Sequence, residues 1–275
     1  MRALVALALL AAFVLPSAQA AGGVPQFAHV IVIVFENKEE QQVIGARSAP
    51  TFTRLARTYA RLGNYHGVAH PSLPNYLALV SGSTHGISTD CTSCTVAARN
   101  LVDTMEQVGR TWKTYAEGLP RAGFTGPFAG RYAKKHDPFL YFRDVVGSPS
   151  RLRNVVPFTQ LAADLRAQQL PDFALVVPNM CDSMHDCSVR TGDRWLARTI
   201  PPLLQLSDTV VFVTFDEGSV PNHVPALALG TAVKPHVSFA PRTSHYGLLR
   251  TIEDAWGLPP LGASATARPI TGIWR

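Results

Sequence analysis

The sequence predicts an α/β protein, a mainly parallel sheet flanked by helices. Three observations carry that expectation. The runs His29 to Phe35 (HVIVIVF) and Thr209 to Phe215 (TVVFVTF) are continuous, β-branched and apolar, as strands covered on both faces are. Segments with apolar residues at helical spacing separate such runs, the alternation expected of a layered α/β sandwich. Each run stops abruptly at polar residues, Glu36-Asn37 after the first and Asp216-Glu217 after the second.

Taken in order, the first twenty residues read as a secretory signal peptide. Arg2 gives a positive start, Leu4 to Leu15 is apolar, and Ala18-Gln19-Ala20 is a cleavage signal before Ala21. An uncleaved anchor ranks behind, because Gly22, Gly23 and Pro25 follow at once. The expected mature unit is one domain over 21–275, with no linker, repeat or later membrane-spanning run.

After the first strand, Pro50 to Leu62 places Phe52, Leu55, Ala56 and Tyr59 on one helical stripe. His70 to Gly82 (HPSLPNYLALVSG) then sets a serine between two prolines where a helix begins. Pro74 is tolerated in a first helical turn, where its missing N–H has no partner to lose. Leu101 to Val108 and Phe158 to Gln168 read as helices. Phe173 to Val177 reads as a strand leading into Asp182, His185 and Asp186, and Ala226 to Leu229 as a weaker strand. His245 to Trp256 is an amphipathic helix with Leu248, Leu249, Ile252 and Trp256 on one side.

The formal charge is +6, with basic residues scattered and densest at Lys134-Lys135-His136. That suits an anionic substrate and excludes nucleic acid, which needs a concentrated basic face. The four cysteines form two close pairs, Cys91/Cys94 and Cys181/Cys187. In an exported protein, bridges between near neighbours are the first choice, ahead of a zinc site or a redox C-x-x-C.

Acids therefore follow three strands, at the edge where such sheets bind ligands. Converging carboxylates need a proton or a cation between them. A divalent cation there would polarise a phosphoryl oxygen and activate Ser72, a poor nucleophile by itself. Oxygen ligands suit Mg²⁺, Ca²⁺ or Mn²⁺, and histidines keep Zn²⁺ open. The free N–H groups at a helix start favour phosphate. Without the acids, Ser72 would read as an ordinary helix cap.

The set FENKEEQQVIG, HPSLPNYLALVSGS, WKTYAEGLP, KHDPFLYF, NVVPFTQLAADL, LPDFALVVPNMCDSMHDCSV, VTFDEG and SHYGLLRTIEDAWGLPPLG covers nearly all the mature chain. It resembles the bacterial phosphoesterase family of secreted acid phosphatases and phospholipase C enzymes, within the alkaline-phosphatase-like superfamily. The resemblance implies the superfamily's three-layer sandwich. It implies that Glu36, Asn37, Asp216 and Glu217 bind metal, with Ser72 as both ligand and the nucleophile that forms phosphoserine. One firm metal site is expected. His185 and His245 stand where two-metal members have further ligands, and here are expected to contact phosphate or to protonate the leaving group.

Four more residues have two readings each. Asn75 either donates to phosphate or caps its turn, and Lys113 is either a phosphate clamp or an exposed strand lysine. His136 is either a phosphate ligand or a loop histidine, and His70 either orients Ser72 or is a buried histidine satisfied by backbone. The implied activity is that of a secreted or periplasmic metal-dependent phosphomonoesterase acting on a small phosphate ester or a phospholipid headgroup, phosphoinositides included. Phospholipase C-type diester hydrolysis and a non-catalytic anion-binding role are the alternatives. A sulfatase is disfavoured, because HPSLPN does not match the sulfatase motif.

Overall fold

The computed structural model describes residues 23–275, so the signal-peptide expectation for residues 1–20 lies outside the described residues. In chain order the strands are β1 (His29–Phe35), β2 (Ala60–Leu62), β3 (Tyr65–His66), β4 (Trp112–Ala116), β5 (Phe128–Ala129), β6 (Tyr132–Ala133), β7 (Val155–Pro157), β8 (Phe173–Val177), β9 (Thr209–Phe215), β10 (Ala226–Leu229), β11 (Val237–Phe239) and β12 (Thr243–Ser244). Eight of them form the main sheet in the order β11-β2-β10-β9-β1-β8-β4-β7. Only β10 runs antiparallel to its neighbours β9 and β2. The expected α/β architecture, a mainly parallel sheet flanked by helices, is what the chain forms.

β1 lies near the middle, parallel to β8 and β9. Val30 to Phe35 are all buried, which is why this run is apolar on both faces. Phe35 is in register with Phe215, and the Asp216 N–H donates to the Phe35 carbonyl at 3.0 Å. The Glu36 N–H donates to Ser183 O at 2.9 Å. The ends of β1 and β9 and the turn after β8 are thus tied together at one edge. Beneath that edge Phe35 packs against Phe52, Trp195 and Phe215 at ring separations of 5.1, 5.7 and 5.4 Å, a rigid floor for the acids.

Strands β1, β8, β9 and β10 begin and end where the sequence places them, as does the helix His245–Trp256. The expected helix Pro50 to Leu62 is shorter. It ends at Thr58, and Ala60–Leu62 is β2, pairing with β10 and β11. Ala60 and Leu62 are buried while Arg61 is only partly so, a period of two too short to show against the helical stripe before it. The other two helices run Leu101–Gln107 and Thr159–Arg166, trimmed by one or two residues at their ends. Both cysteine pairs form the near-neighbour disulfides expected, Cys91–Cys94 and Cys181–Cys187. No helix among the described residues is long and apolar enough to cross a membrane.

Candidate active site

The helix Ser72–Ser81 begins beside the acidic edge. Ser72 is buried, and its Oγ donates to Glu36 Oε2 at 3.1 Å and lies 3.5 Å from Glu217 Oε1. Asn37 follows Glu36 with φ near 52°, a left-handed conformation that asparagine tolerates. Its backbone N–H reaches Asp216 Oδ1 at 3.3 Å. With the side-chain amide nitrogen turned to the acids, it donates to Glu36 Oε2 at 2.9 Å and to Asp216 Oδ1 at 3.2 Å. The structure therefore brings Glu36, Asn37, Ser72, Asp216 and Glu217 together. The half-exposed His70 ring joins them by pairing its Nδ1 with Glu217 Oε2.

On the other side of Glu36 stand two histidines. His136 is buried, stacked on Tyr76 at 5.3 Å, with Nε2 3.3 Å from Glu36 Oε1. His185 lies on the turn closed by Cys181–Cys187, and its Nδ1 meets Asp186 Oδ1 at 2.7 Å. If Nδ1 carries the proton, Nε2 is left as a lone-pair nitrogen. Glu36, His136 and His185 each offer one ligand atom, all within 4.8 Å of one another.

Three participants escape sequence reasoning. Tyr76, one turn beyond Ser72, donates its hydroxyl to Glu36 Oε1. Lys135 Nζ sits 3.3 Å from His185 Nε2 and bonds Asp90 Oδ2 at 2.8 Å. Asp90 Oδ1 in turn accepts from the Leu73 N–H at 3.0 Å, so a carboxylate takes one of the helix N–H groups expected to be free for phosphate. Lys135 had a signal, the basic cluster Lys134-Lys135-His136. Asp90 had none, since it stands in a Ser/Thr-rich loop beside Cys91.

Three expectations need correction. His245 is buried with both ring nitrogens engaged, Nδ1 with the Tyr65 hydroxyl at 3.0 Å and Nε2 with Asp216 O at 2.6 Å. Burial pushes its pKa down to about 4, so it holds the Asp216 backbone and is not placed to protonate a leaving group. Asn75 spends its whole amide on the loop before Ser72. Its Oδ1 accepts from Val68 N and Ala69 N at 2.8 and 3.0 Å, and its Nδ2 donates to Ala69 O and Pro71 O at 2.9 and 3.1 Å. It braces the turn rather than facing phosphate. Lys113, near the start of β4, is paired at 2.5 Å with Asp164 of the helix Thr159–Arg166 and is not brought to the site.

The electrostatics are unbalanced towards negative charge. Burial, then repulsion from Asp216, holds Glu36 well above the usual carboxylate range. Burial and Glu217 push Asp216 up to about 7, and burial raises Glu217. Burial, then Lys135 and His185, pushes His136 well below the usual histidine value, so its ring is neutral. Asp216 Oδ2 and His136 Nε2 are buried without hydrogen-bond partners. An orphaned carboxylate oxygen and an orphaned ring nitrogen among like charges fit a divalent cation. The oxygen set is Glu36, Asn37, Ser72, Asp216 and Glu217. His136 and His185 supply nitrogen donors around the shared Glu36, which widens the single oxygen-rich site expected from the sequence.

Comparison with known proteins follows the same line. Residues 36–259 match the Phosphoesterase family. A phosphatidylinositol-3-phosphatase of Mycobacterium tuberculosis is 37% identical, over 99% of this chain and 94% of its own length. A probable acid phosphatase of Kluyveromyces lactis is 32% identical over 86% of this chain, which spans 60% of that longer protein. Among solved structures, an alkaline phosphatase superfamily protein of Vibrio parahaemolyticus superposes with a TM-score of 0.62 at 14% identity, covering 94% of this chain and 74% of that one. The fold is that of the alkaline phosphatase superfamily, and the chain belongs to the Phosphoesterase family of enzymes that hydrolyse phosphoric esters.

Proposed function

We propose that this chain is an exported, metal-assisted phosphatase that cleaves phosphomonoesters through a Ser72 phosphoenzyme, with phosphoinositide headgroups among its substrates. One observation carries the reading: the Ser72 Oγ, at a helix start, hydrogen-bonds a buried carboxylate in a cluster with orphaned ligand atoms. The relatives named as phosphatases support the monoester class, and the one that aligns over nearly its full length supports the phosphoinositide class. Two disulfides, both in loops that reach the site, support a location outside a reducing cytoplasm.

A divalent cation held by Glu36, Asn37, Asp216 and Glu217 would offset their charge and favour the ionised Ser72 hydroxyl. Ser72 Oγ gives up its proton towards Glu36 or Glu217 and forms the bond to phosphorus as the ester oxygen departs. Lys135, aimed between Asp90 and His185, takes a non-bridging phosphoryl oxygen. His185 or the accessible His70 protonates the departing oxygen. In the second half the same histidine accepts a proton from the water that attacks phosphoserine, and Ser72 Oγ leaves phosphorus and takes back the proton held by Glu36 or Glu217.

The test compares wild type with Ser72→Ala on p-nitrophenyl phosphate, phosphatidylinositol 3-phosphate vesicles and phosphatidylcholine, with and without chelator. Expected are turnover of the first two, sensitivity to chelator, rapid-quench labelling of Ser72, and a loss of about 10⁴-fold or more in the variant. Undiminished turnover by Ser72→Ala would sink the assignment. Faster cleavage of phosphatidylcholine than of the monoesters would move the substrate class to diesters.

A further inference from the structure

A second anion-recognising feature lies beside the nucleophile loop. A cavity of about 410 Å³ is walled by Gly67, Val68, Arg242, Thr243, Gly247 and Arg268. No acidic side chain lines it. Both arginines are exposed, and neither forms a salt bridge with a carboxylate among the described residues, although Arg242 Nη1 lies 3.0 Å from Nε2 of His66, which also lines the cavity. The helix His245–Trp256 starts here, and its cap residue Ser244 makes no side-chain hydrogen bond, leaving first-turn N–H groups uncapped. Thr243 is only 8% exposed, yet its Oγ1 has no partner. A Cβ at residue 247 would fall 2.1 Å from that oxygen, so the hydroxyl has room only because Gly247 lacks a side chain.

We propose that this cavity is a second phosphate-binding site, distinct from the Ser72 centre. Two guanidinium groups free of carboxylates, a buried hydroxyl and an uncapped helix start make a donor set with no acidic side chain to repel a dianion. The cavity also abuts both elements that hold the site. Val68 N–H is tied to Asn75, three residues past Ser72, and His245, first in the helix, holds Asp216 O. The phosphate has two sources: a second phosphate on a bis-phosphorylated substrate, or free inorganic phosphate. The first source rests on the phosphatase reading; phosphate binding itself does not.

Inorganic phosphate titrated calorimetrically into wild type and Arg242→Gln/Arg268→Gln tests the site directly. Two bound phosphates are expected in wild type and one in the variant. If wild type binds one and the variant none, the cavity stands and phosphate binding at Ser72 does not. Equal stoichiometry and affinity in both proteins overturns the proposal. Thr243→Val, which keeps the side-chain shape, is expected to weaken the same site, and unchanged binding there also counts against it.

Kinetics then separate the sources. If the substrate supplies the phosphate, the variant's KM for an inositol bisphosphate rises about tenfold with kcat and p-nitrophenyl phosphate kinetics unchanged. If free phosphate is the ligand, both KM values hold and wild type alone shows a noncompetitive component of phosphate inhibition.

Discussion

Two acidic clusters in this molecule are built on opposite principles. Beside β4, Asp164 accepts from Lys113 Nζ at 2.5 Å, Tyr115 Oη at 2.7 Å and Gln160 Nε2 at 2.9 Å. Its partners hold it below the usual carboxylate range even though burial alone would raise it. At the carboxyl edge of β1 and β9, Glu36, Asp216 and Glu217 crowd together, all are raised, and an Asp216 oxygen has no partner. The first cluster is complete in itself and serves the fold. The second leaves a carboxylate oxygen unpartnered, which the proposed cation would complete, so hydrogen bonding distinguishes Asp164 from Asp216 more clearly than burial does.

The sharpest way to break that contrast is to neutralise one acid in each cluster. Asp216→Asn is expected to lower turnover by about 10²- to 10³-fold and to reduce bound metal, with no loss of melting temperature in chelated protein, because a repulsion is removed. Equal metal content and activity would put Asp216 outside the chemistry. Asp164→Ala is expected to do the reverse. Unfolding titrations should show a cost of about 2–3 kcal/mol, below the full value for a buried pair because Lys113 is partly exposed, with kcat per folded molecule unchanged. A fall in kcat at constant stability would erase the distinction.

The clusters should also respond to pH with opposite sign. Asp216 has its folded pKa raised, so in chelated protein the unfolded state ionises first and stability falls as pH rises from about 4 towards about 7. Asp164 has its folded pKa lowered, so its contribution is present above the ordinary carboxylate value and is lost as pH falls below it. Melting curves from about pH 2 to 8, with and without saturating cation, test this. The cation should abolish the decline on the alkaline side and leave the acid side alone; a decline unaffected by cation would place its origin elsewhere.

The smallest effect is expected at His245, which touches the site only through the Asp216 backbone. His245→Gln keeps a donor for that carbonyl and should cost about tenfold or less in kcat, with the pH profile unmoved. A shifted limb in the profile would return His245 to proton transfer.

Much of this is legible in the amino-acid sequence. β1, β8 and β9 are continuous β-branched runs with polar ends, so composition alone set their boundaries. Parallel order then forced Glu36, Asp216 and the Asp182–Asp186 turn to one edge. Short elements were not readable: β2 is three residues long and follows a helix whose stripe runs on into it. Side-chain partners were not readable either. Asn75 and Lys113 have residue types that suit phosphate, but Asn75 is consumed by Val68, Ala69 and Pro71, and Lys113 by Asp164. Asp90 and Lys135 meet across a loop closed by Cys91–Cys94, a tertiary contact with no periodic signature.

The pairing of β1 with β9 has a consequence for synthesis. Phe35 and Phe215 are register partners, so Glu36 and Asp216 become neighbours only when two strands far apart in sequence pair. A segment that ends before Asp216 lacks one of the two acids, and a pairing so distant in sequence forms slowly. The nascent chain therefore cannot bring Glu36 and Asp216 together until β9 has been made. On the proposed reading, metal affinity appears only once β1 and β9 have paired, and its appearance during refolding would time that pairing.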